Sequence, residues 1–275
     1  MIKLMYIPNQ PAYAAAAVKA GVNRIFVDLE YIGKEQRQGG MDTVKSHHTV
    51  DDVRAVRCVV KAPAELLVRV NPLYEGSAAE IDAVIRAGAD IVMLPMWTRA
   101  DEVAEFVRLV GGRARVMPLL ETAQAADALQ DVLALQGVDE IYIGLNDLHL
   151  SKNQPFIFCP LADGTVYSLC TQMQDAGMPF GFGGVAAMDG GLLPGAYVLC
   201  EHVHLGSGAV ILSRSFCRND VPLEQFGHVM TEQIARLRHL EAALGQSMTE
   251  DLAADNHARV CACVDRIIKE KEGQA

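Results

Sequence analysis

The chain has 275 residues, of which 51% are hydrophobic and 21% are charged, and its formal net charge at pH 7 is −10. Plentiful apolar residues and moderate charge exclude a disordered chain. The acidity argues against a nucleic-acid-binding protein, although a local basic patch can still bind a small anion. The length fits one large domain or two small ones, and a single domain of this size is typical of a (β/α)8 barrel.

The cysteines and the N-terminus indicate the compartment. Seven cysteines lie at wide, irregular spacing, which is not the pattern of a disulfide framework, and the lone pair Cys261 and Cys263 is too weak to predict a metal site. Residues 1–8 lack the basic stretch and long apolar run of a signal peptide. No apolar run approaches the roughly 18–20 residues that a membrane span needs. We therefore predict a cytoplasmic protein with reduced thiols that binds neither membranes nor nucleic acid.

Short apolar runs alternate with longer segments of helical periodicity along most of the chain. The runs are rich in Val, Ile, Leu and Met and end at turn residues, which is typical of strands buried on both faces of a parallel sheet. The predicted strands, in chain order, are 4–8, 24–30, 65–71, 91–96, 115–121, 140–147, 179–185 and 202–207. The predicted helices are 12–20, 50–61, 77–87, 100–110, 123–135, 166–176 and 191–200.

Several joints between a predicted helix and the next strand share a glycine, at Gly21, Gly88 and Gly177. Glycine adopts at little cost the left-handed conformation that commonly ends a helix. The repeated joint predicts stacked βα units. Because eight such units are counted, a closed (β/α)8 TIM barrel is favoured over an open doubly wound sheet.

Four segments fall outside this alternation. Segment 31–49 is a polar, glycine-containing loop, and 153–165 is a loop with an unusually apolar stretch. Segments 223–244 and 248–272 have helical patterns. We predict a barrel core over residues 1–222 and a C-terminal helical extension over 223–275, which closes the barrel, mediates oligomerisation, or does both.

Two carboxylates follow neighbouring predicted strands. Glu121 ends the fifth apolar run and Asp147 follows the sixth. The chemistry of βα barrels lies at the carboxyl ends of the strands, so these side chains are expected to meet there. A carboxylate directly after a buried strand needs water, a cation or a partner. The pair therefore predicts a sparse oxygen site of the Mg²⁺ or Mn²⁺ kind; the alternative is that each acid caps the following helix.

Arg69 and two groups of glycines lie at other predicted strand ends. Arg69 stands in an otherwise apolar run and needs an anionic partner, which is either a neighbouring carboxylate or a substrate carboxylate. Gly183 and Gly184 lie at the end of the seventh predicted strand, and 206–208 ends and follows the eighth. Backbone N–H groups at these places bind phosphate in many barrels, but glycine is also common in plain turns.

The segments 68–71, 87–95, 121–123 and 137–148 carry a family likeness. They read Val-Arg-Val-Asn, Ala-Gly-Ala-Asp-Ile-Val-Met-Leu-Pro, Glu-Thr-Ala and Gly-Val-Asp-Glu-Ile-Tyr-Ile-Gly-Leu-Asn-Asp-Leu. In these strings and their order the chain resembles the HpcH/HpaI aldolase and citrate lyase β-subunit superfamily, over roughly residues 20–215. Members of that family are (β/α)8 barrels.

The resemblance implies roles for particular residues. It implies Glu121 and Asp147 as ligands of Mg²⁺ or another divalent cation such as Mn²⁺ or Co²⁺, and Arg69 as the residue that grips the carboxylate and enolate oxygens of a pyruvate-like substrate. It also implies a homo-oligomer, a trimer or hexamer with exchanged C-terminal helices. The residues predicted to bind a small anionic 2-keto acid substrate are Arg69, Asn71, Gly144, Asn146, Gly184 and Ser207.

The chain departs from the family pattern after the second strand. The aldolase branch has Glu-His there, whereas Glu30 is followed by Tyr31, so the usual histidine base is absent. The string Asp28-Leu29-Glu30 is closer to the citrate-lyase branch. His47 and His48 in the same loop are candidate bases because imidazole titrates near neutral pH; the alternative is a solvated pair. The predicted catalytic residues are thus Arg69, Glu30, His47 and His48.

These observations predict a metal-dependent carbon–carbon lyase of the class II aldolase type that acts on a 2-keto acid through its enolate. A divalent cation acts as a Lewis acid on the keto and carboxylate oxygens, and Arg69 adds a fixed positive charge. Two alternatives stay open. One is a citrate-lyase-like enzyme that acts on an acyl-CoA thioester, and the other is a catalytically degenerate barrel that binds a small anion.

Overall fold

Eight parallel strands close into a barrel, each paired with its neighbours in chain order, and the eighth strand pairs with the first. The structure is a computed structural model and describes residues 1–33, 48–217 and 221–273. Helices follow the strands and cover the outside of the barrel. The predicted (β/α)8 barrel with C-terminal helices is confirmed.

The strands and helices alternate along the barrel, and two long helices follow it. The strands are β1 (Lys3–Tyr6), β2 (Arg24–Asp28), β3 (Glu65–Arg69), β4 (Ile91–Leu94), β5 (Arg115–Leu120), β6 (Ile141–Ile143), β7 (Phe180–Val185) and β8 (Ala209–Leu212). The helices are α1 (Pro11–Ala20), α2 (Val50–Val59), α3 (Ser77–Arg86), α4 (Ala100–Val110), α5 (Ala123–Asp127), α6 (Leu129–Leu133), α7 (Leu145–Ser151), α8 (Cys159–Ala162), α9 (Thr165–Asp175), α10 (Gly195–His204), α11 (Leu223–Ser247) and α12 (Glu250–Glu272).

The strands are apolar on both faces because each face meets a separate core. One small cluster fills the barrel interior and includes Met5, Phe26, Met93 and Met117. The larger core lies between the strands and the helices. Large interior side chains close the centre of the barrel, so a ligand can enter only from an end.

The predicted strand over 202–207 is wrong. His202 lies in the last turn of α10, and the strand that completes the barrel is β8, which begins at Ala209. Gly206, with φ +65°, follows Leu205, the C-cap of this helix. The chain here repeats the helix–glycine–strand joint seen at Gly21, which has φ +109°. Residues 202–205 alternate histidine with an aliphatic residue before a glycine, which resembles a short strand in sequence, and this ambiguity explains the error.

The two C-terminal helices pack against different parts of the barrel. Helix α11 lies against α1 and α10, where Phe226 contacts the rings of Tyr6 and Tyr13 at centroid distances of 5.5 and 5.0 Å. Helix α12 packs against α10 and α8, and Lys271 near its end lies 5.1 Å from the ring centroid of Phe156. Within the described ranges, no helix is both long and apolar enough to cross a membrane.

Candidate functional site

A cavity of about 290 Å³ opens at the carboxyl ends of the strands. Every strand except β4 contributes to its wall, either directly or through the residues that follow the strand. The lining residues are Tyr6, Ile7, Asn9, Phe26, Asp28, Arg69, Leu119, Glu121, Tyr142, Gly144, Leu145, Asn146, Asp147, Ile157, Gly183, Gly184, Ile211, Leu212, Ser213 and Arg214. The cavity therefore occupies the end of the barrel where the sequence predicts the chemistry.

Arg69 is held by carboxylates of the neighbouring strand. Its Nε and Nη2 each donate to one oxygen of Asp28 at 2.8 Å, and its Nη1 lies 3.3 Å from Glu30. Burial alone lowers the pKa of the guanidinium, but Asp28 and Glu30 outweigh it and hold that pKa well above its usual value. Guanidinium carries five N–H groups, and the hydrogen bonds to Asp28 use two of them. The guanidinium group of Arg69 is therefore held in one position, where it lines the cavity.

Glu121 is a buried carboxyl group, with only 2% of the residue exposed. Its Oε1 accepts a hydrogen bond from Met96 N at 3.1 Å, and Met96 adopts a left-handed conformation with φ +55°, which is uncommon for a non-glycine residue. A Cβ at position 144 would lie 3.0 Å from Glu121 Oε2, so glycine at that position leaves room for the carboxyl group. The backbone on two sides is thus shaped around Glu121.

The surroundings of Glu121 disfavour its ionised form. The pKa of Glu121 is raised to about 8, chiefly by burial; Arg69 opposes the shift, while Asp147 and Glu30 add to it. A carboxyl group in this state takes up a proton at neutral pH unless a cation compensates its charge. Asp147 lies in the first turn of α7 and lines the same cavity.

The donor set fits a divalent cation. Among the described residues, the carboxyl groups of Asp28, Glu121 and Asp147 line the cavity together with the guanidinium groups of Arg69 and Arg214, and Glu30 lies 3.3 Å from Arg69 Nη1 without lining it. When these four carboxyl groups are all ionised, they exceed the two guanidinium groups by two charges. The described residues contain no cluster of three or more metal-binding side chains. Two carboxylates are nevertheless a suitable set for Mg²⁺, which keeps several waters and completes its shell with substrate oxygens.

Tyr142 shapes the wall between β7 and β8. Along β7 the register advances from Gly181 to Gly184, while along β8 it advances only from Ala209 to Ile211, so β7 carries an extra residue. The Tyr142 hydroxyl lies 2.5 Å from Gly183 O and 3.1 Å from Phe182 O, and it accepts from the backbone N–H of Ile211 at 2.9 Å. The side chain thus replaces ladder hydrogen bonds that the irregular strand loses.

The other predicted site residues are not all at the cavity. Arg69, Gly144, Asn146, Gly184, Glu121 and Asp147 line it. Asn71 lies outside the lining: its Oδ1 accepts from the backbone N–H groups of Tyr31 and Ile32, and its Nδ2 donates to Glu80. Asn71 therefore ties the loop after β2 to α3.

The candidate base residues are placed only in part. Glu30 is buried beside Arg69 and does not line the cavity. His48 also lies outside the lining, where its Nδ1 accepts from the backbone N–H of Asp28 at 3.3 Å. His47 lies outside the described residues. Their predicted acid–base roles stay predictions.

The substrate-binding position predicted for Ser207 needs correction. Ser207 precedes β8, at the amino end of the strands, and its hydroxyl lies 2.8 Å from His202 Nδ1. It cannot reach the cavity at the carboxyl ends. The misplaced eighth strand caused this error, because it also placed Gly206 and Gly208 at the wrong end of the barrel. The residues that follow β8 are Ser213 and Arg214, and both line the cavity.

The polar lining residues that the sequence interpretation missed include Asn9, Tyr142, Ser213 and Arg214. A signal existed for the last two, since Ala209–Leu212 is an apolar run that directly precedes them. Asn9 follows β1 just as Arg214 follows β8. Tyr142 carries no comparable signal, because a tyrosine inside an apolar strand is equally consistent with plain core packing.

The solved structures that resemble this fold include two proteins of known family. One is an HpcH/HpaI aldolase from Desulfitobacterium hafniense DCB-2, with a TM-score of 0.63 and 18% identity, covering 77% of this chain and 86% of that one. The other is an HpcH/HpaI aldolase/citrate lyase family protein from Burkholderia cenocepacia J2315, with a TM-score of 0.60 and 16% identity, covering 87% of this chain and 94% of that one. At such low identity the likeness supports the fold alone.

The family assignment comes from the sequence itself. No curated protein sequence matches the chain. The family model described as HpcH/HpaI aldolase/citrate lyase matches residues 3–154, which is more than half of the chain and includes Arg69, Glu121 and Asp147. The chain therefore belongs to the HpcH/HpaI aldolase/citrate lyase family, a family of lyases.

Proposed function

We propose that this protein is a divalent-metal-dependent carbon–carbon lyase that cleaves or forms a bond next to the enolate carbon of a 2-keto acid. The observation that carries the proposal is the buried carboxyl group of Glu121, which shares one cavity with Asp147 and Arg69. Membership in a lyase family agrees with this chemistry.

Glu121 and Asp147 are the residues that would hold the cation. When bound, a divalent cation supplies Lewis-acid stabilisation of the keto and carboxylate oxygens as the enolate forms. The pKa of about 8 at Glu121 means that cation binding there competes with a proton. The left-handed Met96 keeps one Glu121 oxygen in a fixed hydrogen bond, which restricts the orientation of the carboxyl group.

Arg69 supplies a fixed positive charge for the substrate carboxylate or the enolate oxygen. Asp28 and Glu30 act as its positioning residues, since they hold the guanidinium without lining the opposite wall. Because the guanidinium is already placed before substrate binds, little reorganisation is needed when negative charge develops. The acid–base residue that moves the substrate proton is proposed to come from the loop that carries His47 and His48.

The test is exchange of the methyl protons of pyruvate with deuterium oxide, followed by proton NMR. We expect exchange that depends on Mg²⁺, Mn²⁺ or Co²⁺ and stops with EDTA, because enolate formation is the step that the three residues serve. Absence of exchange with all three cations would contradict the proposal. A thermal-shift response to acyl-CoA esters without pyruvate exchange would instead indicate the citrate-lyase-like activity.

A further inference from the structure

The side chains that face into the barrel change in character between its centre and the cavity. Successive residues of a strand point to opposite faces, so the residue two positions beyond an interior residue also points inward. The interior cluster includes Met5, Phe26, Leu67, Leu119 and Ala209. The residues two positions further along the chain all line the cavity, and they are Ile7, Asp28, Arg69, Glu121 and Ile211. These residues therefore belong to one inward-facing layer at the mouth, which is the carboxyl end of the barrel.

This layer is charged on one side and apolar on the other. Asp28, Arg69 and Glu121 come from β2, β3 and the end of β5. Ile7 and Ile211 come from the adjacent strands β1 and β8, and both are partly buried against the interior cluster. In the closed order of eight strands β1 lies directly across from β5, so Ile7 stands across the mouth from Glu121. Apolar surface is thus left exposed to the cavity on the side away from that carboxyl group.

A third partly buried isoleucine lines the same cavity. Ile157 lies in the segment between α7 and α8. Its neighbour Phe156 is buried, and the ring of Phe156 lies 5.7 Å from that of Phe158. These aromatic contacts anchor the segment, so Ile157 adds a fixed apolar surface to the lining.

The polar groups near these isoleucines already have partners. The Tyr142 hydroxyl is hydrogen-bonded to backbone groups of β7 and β8. The Ser213 hydroxyl lies 2.9 Å from Ser215 Oγ. Asn9 and Arg214 also have interactions within the chain. These groups need no ligand, whereas exposed apolar surface in a concave site gains free energy when an apolar group covers it.

We propose that Ile7, Ile157 and Ile211 form an apolar subsite, which selects substrates with a short, uncharged aliphatic group at the far end of the keto acid. This inference rests on the proposed function, because that function places the keto acid between Arg69 and Glu121, on the charged side of the layer. The rest of the substrate then meets the apolar side. The cavity of about 290 Å³ is near the lower limit of small-molecule sites, which favours a short branched group over a long chain.

The proposal names the class of aldehyde that the lyase would release. In cleavage of a 4-hydroxy-2-keto acid, the bond between the third and fourth carbon atoms breaks and its electron pair remains on the third carbon as the enolate. The hydroxyl on the fourth carbon gives its proton to the acid–base group, and that carbon leaves as the carbonyl carbon of an aldehyde. Protonation of the enolate completes the keto acid product. The subsite holds the group on the fourth carbon, so the product is a short aliphatic aldehyde rather than one that carries a carboxylate.

The experiment compares two 2-keto acids of matched shape by isothermal titration calorimetry with Mn²⁺ present. The ligand 5-methyl-2-oxohexanoate ends in an isopropyl group where 2-oxoglutarate has a carboxylate, and oxalate reports on the charged side alone. We expect 5-methyl-2-oxohexanoate to bind at least about tenfold more tightly than 2-oxoglutarate, because its apolar end is removed from water. Equal binding of the two ligands, or tighter binding of 2-oxoglutarate, would overturn the subsite.

Two variants of one residue test the contact directly. Threonine and valine have the same shape and differ by a hydroxyl in place of a methyl group, so Ile211→Val is the matched control for Ile211→Thr. Relative to oxalate, Ile211→Thr should weaken 5-methyl-2-oxohexanoate about fivefold more than Ile211→Val does. The same pair at Ile157, which lies outside the strands, provides the test if the barrel variant does not fold. Equal losses in the threonine and valine variants would overturn the proposal.

A second arm separates the subsite from the proposed function. Titrations of 5-methylhexanoate and glutarate in EDTA involve neither a keto group nor a metal. If oxalate shows no metal-dependent binding, the proposed function fails; tighter binding of 5-methylhexanoate than of glutarate, reduced more by Ile211→Thr than by Ile211→Val, then still supports the subsite. If 5-methylhexanoate binds no more tightly than glutarate in that case, both proposals are overturned. If oxalate binds with Mn²⁺ but the two keto acids bind equally, only the subsite is overturned.

Discussion

The two ends of the barrel differ in how their charged side chains are paired. At the amino end, the fully buried Arg24 donates to Glu65 and Glu140 at 3.0 to 3.2 Å, and Arg115 and Lys3 also pair with Glu65. At the amino end the carboxylates are paired with arginine and lysine residues of the chain. At the carboxyl end the carboxyl groups outnumber the cationic side chains.

The pKa values of two glutamates, Glu65 and Glu121, show this difference between the two ends. Burial raises the pKa of Glu65, but Arg24, Arg115 and Lys3 outweigh it and hold that pKa below its usual value. Burial also raises the pKa of Glu121, and nearby carboxylates add to the shift. A charge network that is complete within the chain serves the fold, while an incomplete one needs a partner from outside. This difference locates function at the mouth and stability at the base.

The largest effect is expected at the mouth. Glu121→Gln keeps the size of the side chain but removes a proposed cation ligand, so metal-dependent pyruvate exchange should fall at least about a thousandfold, which corresponds to about 4 kcal/mol. In EDTA at pH 8 the variant should be at least as stable as the wild type, because an uncompensated buried carboxyl group is gone. NMR exchange rates and urea unfolding measure the two properties.

The matched control for that variant is Glu105→Gln, at an exposed glutamate of α4 that pairs with Arg108. It should leave exchange unchanged. If Glu121→Gln retained metal-dependent exchange, or lost it only together with the fold, Glu121 would be a structural residue and the contrast between the two ends would disappear.

A substitution at the amino end of the barrel should lower stability and leave activity unchanged. Arg24→Met leaves the buried Glu140 and the half-buried Glu65 without their shared guanidinium, so the free energy of unfolding should fall by about 3–5 kcal/mol. Pyruvate exchange by the protein that remains folded should be unchanged. Urea unfolding measures the loss, and Arg108→Met serves as an exposed control with little effect. A loss no larger than the control's would mean that the network at the base contributes nothing to stability.

Much of the fold follows from local patterns. Alternating apolar runs, helical periodicity and helix-ending glycines predict seven of the eight strands near their observed places, because each pattern reflects interactions within one element. The eighth strand is predicted incorrectly because the end of α10 alternates histidine with aliphatic residues before Gly206, which resembles a short strand. Residues 202–207 and 209–212 both resemble a strand in sequence. Only the pairing with β1, which closes the barrel, identifies Ala209–Leu212 as the strand.

The candidate site could be predicted in part. The rule that chemistry lies at the carboxyl ends of strands suffices to bring Arg69, Glu121 and Asp147 to one cavity. The rule does not reveal which way a side chain turns after the strand. Asn71 follows β3 yet faces the loop after β2, because two backbone N–H groups there need an acceptor. Such contacts depend on tertiary structure and have no signature in the sequence.

A smaller effect is expected from Arg69→Lys. Lysine keeps a positive charge but lacks the planar fork that holds two oxygens of Asp28, so the charge is no longer fixed. We expect kcat/KM for the lyase reaction to fall about a hundredfold, close to 3 kcal/mol. Steady-state kinetics measure this, with Arg108→Lys as the control. Unchanged kinetics would show that Arg69 only forms a structural ion pair.

The last prediction concerns two buried groups with opposite pKa shifts. Burial raises the pKa of Glu121 from 4.5 to about 8 and lowers the pKa of His202 from 6.5 to about 3. His202 stacks on Phe182 with ring centroids 3.7 Å apart. Ser207 Oγ donates to Ala209 O, so His202 Nδ1–H donates to Ser207 Oγ, and Nε2 has no hydrogen-bond partner among the described residues. The imidazole is therefore held neutral.

The signs of the two pH effects differ. Below pH 6.5 the unfolded chain binds a proton at His202 that the folded chain does not, so stability falls as pH drops toward 3. Glu121 acts the other way: without metal, stability falls as pH rises from 4.5 to about 8, because the unfolded chain ionises first. His202→Gln should therefore reduce the loss of unfolding free energy between pH 8 and pH 5 by about 2 kcal/mol.

Urea unfolding in EDTA at a series of pH values measures this effect, and His239→Gln is the control at an exposed histidine of α11. The stacking on Phe182 is lost in His202→Gln at every pH, so only the change with pH is diagnostic. A variant with the wild-type pH dependence would mean that His202 can take up a proton in the folded protein. In that case burial beside the barrel wall would not suffice to keep a side chain neutral, and the same argument for Glu121 would need the nearby carboxylates as its main cause.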